Sequence, residues 1–183
     1  ANHLTELGYD VSVLSKEYSN PVKNTKFHYL QVGNSKLGGH FWLYDWGKYL
    51  KNMNLDQYDT IILNQSNLPV VFGKYFGLSV LSKIIVLIQG LEVEWLYRNK
   101  KMSSAFIHSI FRFEYYHRKC LLNCRKIVSV SEFHKQKVIT AANLECIKDK
   151  FEVVYTGIEK NLFYSTMSSF RKENDLENKE ILV

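Results

Sequence analysis

The stretch that decides the fold runs from Ile84 to Trp95 and reads IIVLIQGLEVEW. Its first five residues are apolar and mostly β-branched, which is typical of a strand that a parallel sheet buries on both faces. The apolar run ends at Gln89 and Gly90, a polar side chain followed by a residue that permits a tight turn. Because open α/β sheets bind ligands at the carboxyl ends of such strands, we expect the functional site to begin at this turn.

Strand patterns and helix patterns alternate on both sides of this stretch. Strands are predicted at residues 9–14, 27–32, 58–63, 84–88, 126–130 and 151–155, and helices at 2–7, 41–53, 67–77, 103–123 and 131–142. The alternation predicts an α/β fold in which a parallel sheet carries helices on both faces.

The chain divides into one domain and a short remainder. Residues 1–164 carry the alternating pattern, which opens with a helix that has no strand before it, so we expect this domain to lack its first strand. Residues 165–179 are polar and charged and predict a linker, and the apolar residues 180–183 predict the start of a truncated second domain.

Composition indicates a globular chain without a membrane span. Of the 183 residues, 46% are hydrophobic and 14% aromatic, which argues against disorder. No apolar run approaches the roughly 20 residues that cross a bilayer, and the start ANHLTELG lacks the signal-peptide pattern, so we expect a cytoplasmic location. The net charge of +6 favours acidic partners without selecting among nucleic acid, anionic lipid and phosphorylated substrates.

The three cysteines do not form a disulfide framework, and we expect reduced thiols that pack in the interior. His117, Cys120 and Cys124 are spaced to share one helix face, where a metal cluster is conceivable. Core packing is the commoner role of such a face, so we expect neither a metal nor another cofactor.

Basic residues concentrate between positions 98 and 126, where eight lysines and arginines accompany a single acid, Glu114. Interleaved with aromatic residues, Arg112, Arg118 and Lys119 predict a helix that contacts anionic lipid headgroups. The alternatives are a solvated helix face on which Glu114 pairs with Arg118, and a surface that binds RNA.

Five segments taken in order resemble the N-terminal domain of bacterial family 4 glycosyltransferases, which are retaining enzymes of the GT-B fold. The segments are LTELGYDVSVLS (4–15), YDTIIL (58–63), QGLE (89–92), KIVSVSEF (126–133) and YTGIEKNLF (155–163). In this family two Rossmann-like domains face each other across a cleft. The resemblance therefore makes the predicted sheet a Rossmann-like one.

The resemblance implies that this domain holds the sugar acceptor, while an absent C-terminal domain binds a nucleotide-diphosphate sugar as donor. The full-length protein is then expected to transfer a sugar to a glycan or lipid-linked acceptor in polysaccharide or cell-envelope biosynthesis, at the inner face of the membrane. The family is metal-independent, and the chain has no DxD triplet. The fragment alone is expected to be inactive, and no DNA partner is expected.

The resemblance also assigns candidate substrate-binding residues in three groups, without a catalytic residue. They are Gln89, Gly90 and Glu92 in the crevice, Ser131 and Glu132 at the mouth of a helix, and Thr156, Gly157 and Glu159 at the interdomain edge. The family often has histidine at the position of Gln89. Because glutamine does not shuttle protons near neutral pH, we expect this side chain to orient a sugar.

Two other functions compete with a transferase. One is a non-catalytic Rossmann-like binding module whose basic helix docks on membrane or RNA, for which the charge distribution between residues 98 and 126 is the supporting feature. The other is a sugar-nucleotide epimerase of the same two-domain fold. Neither a GxGxxG nor a GxxxxGK[ST] loop is present to indicate a nucleotide site within this chain.

Overall fold

The computed structural model describes residues 1–16, 26–32, 42–65, 67–90, 93, 96–97 and 112–155. The elements within them are, in chain order, α1 (Asn2–Glu6), β1 (Ser12–Lys16), β2 (His28–Val32), α2 (Trp42–Lys51), a 3-10 turn (Leu55–Gln57), β3 (Ile61–Leu63), α3 (Leu68–Tyr75), α4 (Leu78–Leu81), β4 (Ile84–Ile88), α5 (Phe113–Asn123), β5 (Lys126–Ser129), α6 (Glu132–Ala142), a 3-10 segment (Glu145–Lys150) and β6 (Phe151–Val153). The predicted linker and second domain, residues 165–183, lie outside the described residues.

Every described strand pair is parallel, which confirms the predicted fold class. The strands form two sheets: β1 pairs with β2, and β3, β4, β5 and β6 pair in that order. A single sheet was expected. The chain leaves β2 through α2, which packs against both β2 and α3, and β3 then takes β4 rather than β2 as its partner.

Strand β4 lies in the interior of the larger sheet, between β3 and β5. Ile84, Val86 and Ile88 are at most 1% exposed, and the residues between them are partly buried. The five-residue apolar run thus forms a strand covered on both sides, as its composition predicts.

The predicted helix at residues 67–77 forms two helices, with the break where glycine was expected to end the pattern. Helix α3 begins at Leu68 with proline in its first turn, and Gly77 precedes the short α4. The first six residues of α3 are buried, since the helix packs closely against α5. A Cβ atom built on Gly73 would lie 1.9 Å from the carbonyl oxygen of Tyr116 in α5, so the two backbones meet at this glycine.

The long helix predicted at residues 103–123 does not run unbroken. Arg112 has φ 50° and ψ 41°, a left-handed conformation that ends the regular hydrogen-bond pattern of an α-helix, and α5 begins after it at Phe113. Residues 101–111 lie outside the described part of the chain. The apolar spacing alone did not predict that α5 begins at Phe113.

The three candidate metal ligands on and after helix α5 are buried in the core. Cys120, Cys124 and His117 are at most 1% exposed; the Tyr97 hydroxyl lies 3.1 Å from Nδ1 of His117, and the Cys124 thiol donates to a backbone carbonyl. Burial raises the pKa of both thiols, that of Cys124 to about 11. Over the described residues, no group of three potential ligands is arranged to hold a metal ion.

The remaining sequence predictions differ from the structure mainly at element ends. The glycine expected to end α1, Gly8, has φ 89°, and Ser131 precedes α6 as predicted. Strand β1 begins three residues later than predicted. Strand β3 is limited to Ile61–Leu63, and residues 58–60 connect it to the preceding 3-10 turn. None of the helices in the described ranges is long and apolar enough to cross a bilayer.

Candidate functional site

The carboxyl ends of β3, β4, β5 and β6 lie along one edge of the larger sheet, because the four strands are parallel and paired in register. The chain leaves this edge at Asn64 after β3, at Gln89 after β4, at Val130 after β5 and at Val154 after β6. This is the edge at which parallel α/β sheets bind ligands. It is the candidate site.

Gln89 forms a side-chain hydrogen bond across the first two strands of this edge. Its amide Nε2 donates to Oδ1 of Asn64 over 2.6 Å, and both side chains are exposed. Gln89 was a predicted site residue, whereas Asn64 was not. The sequence nevertheless contained a signal for Asn64, because this residue follows β3 just as Gln89 follows β4.

The chain reaches α6 from β5 through a turn that is fixed by two serines. Ser129 is fully buried, and its hydroxyl donates to the carbonyl of Ser131 over 3.1 Å. The hydroxyl of Ser131 in turn accepts a bond of 3.2 Å from the backbone N–H of His134. Ser131 is therefore the N-cap of α6, as predicted, and its hydroxyl is occupied by one of the helix's own amides.

The carboxylate of Glu132 is directed along its own helix. Its Oε1 lies 3.1 Å from Nζ of Lys135 and accepts a 3.4 Å bond from the amide of Gln136. The negative charge also lies in the first turn, where it stabilises the helix dipole. Beside it, Nδ1 of His134 is buried and has no hydrogen-bond partner among the described residues, a feature that the sequence did not indicate.

Exposed aromatic residues flank the other end of the edge. Val154 continues from β6 and donates its N–H to the carbonyl of Ser129 over 2.9 Å, which joins the two strand ends. Next along the chain, Tyr155 is 72% exposed, and Phe133 in the first turn of α6 is 63% exposed. Nζ of Lys137 lies over the Phe133 ring, 5.3 Å from its centroid, so Tyr155 is the more exposed of the two aromatic side chains at the β5–β6 end of the site.

The structure describes the positions of four of the eight predicted substrate-binding residues, whose role stays a prediction. Gln89 and Gly90 follow β4, and Ser131 and Glu132 follow the adjacent β5, so these four share the candidate edge. The other four lie outside the described residues: Glu92, Thr156, Gly157 and Glu159.

The residues predicted to contact membrane lie at α5, and two of them bond to the protein. Arg118 donates from Nε to the carbonyl of Ala142 over 3.1 Å and from Nη2 to that of Asn143 over 3.0 Å. Lys119 donates from Nζ to the carbonyl of Phe76, the residue that follows α3, over 3.4 Å. The guanidinium therefore caps the carboxyl end of α6, while Arg112 is exposed. Membrane contact stays a prediction.

The described part of the edge is suited to binding and orienting a polar ligand. Its exposed carboxamides donate and accept hydrogen bonds, and the amide of Gln89 does not ionise near neutral pH. Glu132 supplies the carboxylate in the first turn of α6, and this carboxylate lies beside the ammonium group of Lys135. The arrangement thus favours recognition over proton transfer.

Comparisons with known proteins identify no relative of this chain. No protein-family model, no curated protein and no solved structure matches it. The geometry of the sheet edge and the sequence itself are therefore the observations that bear on function.

Proposed function

We propose that this chain is the acceptor-binding domain of a glycosyltransferase that moves a sugar from a nucleotide-diphosphate sugar to a glycan or lipid-linked acceptor. One observation carries the proposal. The segments that resemble family 4 glycosyltransferases fall, in chain order, on elements of a parallel α/β fold: LTELG on α1 and its end, the last three residues of YDTIIL on β3, QG directly after β4, and VSE at the start of α6.

The chemistry of the edge supports the same proposal. Sugars offer hydroxyl groups that both donate and accept hydrogen bonds, and the amide pair of Gln89 and Asn64 does the same. Exposed rings at Phe133 and Tyr155 add apolar area that can pack against a sugar ring. A retaining transfer depends on such positioning and on stabilisation of the departing diphosphate, which we assign to a donor-binding domain of the complete polypeptide.

The proposed place of action is the inner face of the membrane, where lipid-linked acceptors are found. Of the three predicted residues, Arg112 is the exposed one, and its side chain makes no capping hydrogen bond at the start of α5. Flotation with anionic vesicles is expected to weaken in Arg112→Glu and to stay unchanged in Lys148→Glu, an exposed lysine of the 3-10 segment. Equal flotation of the two variants would count against membrane contact through α5.

The decisive experiment supplies the complete polypeptide with a panel of nucleotide-diphosphate sugars and glycan acceptors. Release of nucleoside diphosphate and the mass of the product report transfer. We expect transfer in the wild type, and at least tenfold slower turnover in Gln89→Ala with an unchanged melting temperature. Gln57→Ala is the matched control, because it removes an exposed amide from the turn that precedes β3, at the opposite edge of the sheet.

Three outcomes contradict the proposal. The first is wild-type turnover in Gln89→Ala, which would show that the acceptor does not bind at this sheet edge. The second is inversion of a stereocentre in the nucleotide sugar without an acceptor, which would make the protein an epimerase. The third is binding to vesicles or RNA with no transfer from any nucleotide sugar, which would make it a binding module.

A further inference from the structure

Uncharged carboxamides are concentrated at the carboxyl ends of β3 and β4. The residues after β3 include Asn64, Gln65 and Asn67, and Gln89 follows β4; all four are exposed. Asn67 precedes α3 without using its side chain to cap the helix. The described residues directly after these two strands, 64–65, 67 and 89–90, carry no ionisable side chain. The described residues at this end of the site therefore present neutral hydrogen-bonding groups.

The pair formed by Asn64 and Gln89 presents a mixed surface to a ligand. One N–H of Gln89 is used in the 2.6 Å bond to the Asn64 carbonyl oxygen. That bond leaves three groups of the pair unused: the second N–H of Gln89, the carbonyl oxygen of Gln89 and the NH2 group of Asn64. The same holds if the two amides exchange the roles of donor and acceptor, so the pair offers both kinds of group in either arrangement.

A mixed, uncharged pair discriminates among ligand classes. Phosphates and carboxylates accept hydrogen bonds and are best bound by donors that carry positive charge, whereas ammonium groups require acceptors. A hydroxyl group donates one hydrogen bond and accepts others. Two neighbouring hydroxyls therefore complement an amide pair that accepts at one position and donates at another.

We propose that Asn64 and Gln89 act as one carboxamide pair that binds two neighbouring hydroxyl groups of an uncharged sugar. Asn64 is thereby a specificity-determining residue, because it holds the Gln89 amide and contributes its own donors. This inference rests on the proposed function and names the acceptor class, a neutral sugar rather than an acidic or phosphorylated one.

The test measures binding of defined probes to the full chain by ligand-observed NMR. The probes are methyl α-glucopyranoside, methyl α-mannopyranoside and methyl α-galactopyranoside, compared with glucuronate and inorganic phosphate. We expect at least one neutral glycoside to bind more tightly than the two anions. Asn64→Leu and Gln89→Leu are each expected to weaken its binding about tenfold, which corresponds to loss of a net hydrogen bond.

Two further variants separate the pair from its surroundings. The double variant is expected to bind no more weakly than either single variant, because each substitution already removes the pair. Gln57→Leu, the same change at the opposite edge of the sheet, is expected to bind as the wild type does. Melting temperatures of all variants report whether a loss of binding comes from unfolding.

The inference is overturned if phosphate or glucuronate binds more tightly than every neutral glycoside, if Asn64→Leu binds like Gln57→Leu, or if no glycoside binds the wild type. Failure of the inference is distinguishable from failure of the proposed function. Transfer by a complete polypeptide whose glycoside binding ignores Asn64 would refute the inference alone. Glycoside binding that depends on both amides, without transfer from any nucleotide sugar, would refute the proposed function alone.

Discussion

The contact between α3 and α5 at Gly73 predicts a large loss of stability on a minimal substitution. In Gly73→Ala, the new Cβ would lie 1.9 Å from the carbonyl oxygen of Tyr116 and 3.3 Å from the amide nitrogen of Cys120. Normal carbon–oxygen contacts are about 3.3 Å, so the helices have to separate by about 1.4 Å at this point. The obstacle is backbone, which cannot rotate away as a side chain does.

The magnitude follows from two opposing contributions. Overpacking a tight interior costs about 1–3 kcal/mol, and a backbone clash at the centre of a helix pair belongs at the upper end of that range. Alanine has an intrinsic advantage over glycine in a helix of about 1 kcal/mol, which offsets part of the cost. We expect a net loss of about 2 kcal/mol in the free energy of unfolding, which lowers the melting temperature by about 4–8 °C in a domain of this size.

Urea denaturation and thermal melting measure this effect, and Gly77→Ala is the matched control. Gly77 has φ −86°, which alanine adopts freely, and a Cβ there would meet no atom within 4 Å. We therefore expect a change of no more than about 0.5 kcal/mol in the control. The reasoning is refuted if Gly73→Ala is as stable as Gly77→Ala or as the wild type.

Three smaller effects follow from described contacts. Lys150→Met removes an ammonium group that donates to two carbonyls at the end of α5, over 2.8 and 3.0 Å, and is expected to cost about 2 kcal/mol in urea denaturation. Ser131→Ala removes the N-cap bond of α6 and is expected to cost about 1 kcal/mol in the same assay. Cys146 is exposed and is expected to react with a thiol reagent in the native protein at pH 8, whereas Cys120 and Cys124 react only after unfolding. Both are buried, and the raised pKa of Cys124, about 11, keeps it protonated at that pH; mass spectrometry counts the labels.

Each of these predictions has its own control. Lys148→Met changes an exposed lysine of the same 3-10 segment and should leave stability unchanged; a loss as large as in Lys150→Met would show that the capping bonds are not its cause. Ser131→Thr keeps the hydroxyl and should recover most of the N-cap contribution. Cys146→Ser should take up no label before unfolding, and rapid labelling of that variant would contradict the burial of the other two thiols.

Local sequence signals predicted the elements that position the site. The apolar run before Gln89 predicted β4, and the serine before Glu132 predicted the start of α6. These features depend on residues a few positions apart, so composition and capping rules are sufficient to find them. The left-handed Gly8 belongs to the same class.

The features that the sequence did not reveal depend on partners far along the chain. Asn64 meets Gln89 because β3 and β4 are neighbours, and the need for glycine at position 73 arises only when α5 crosses α3. The guanidinium of Arg118 binds the carbonyls of Ala142 and Asn143 at the end of α6, which lie 24 and 25 positions away in the sequence. The charge of a side chain predicts that it will form a hydrogen bond or an ion pair. The tertiary fold determines which group lies close enough to be its partner.

The strand order of the larger sheet has a consequence for the way the chain is made. From β3 to β6, each strand pairs with the strand that follows it in the sequence. During synthesis, each strand after β3 leaves the ribosome when the strand with which it pairs has already been made. No strand from β3 onward depends on a partner that is separated from it by another strand of this sheet. Because each strand pairs with the strand just before it in the sequence, this sheet can grow in the direction of translation. The sheet edge that we propose as the sugar-binding site is then completed when β6 is added.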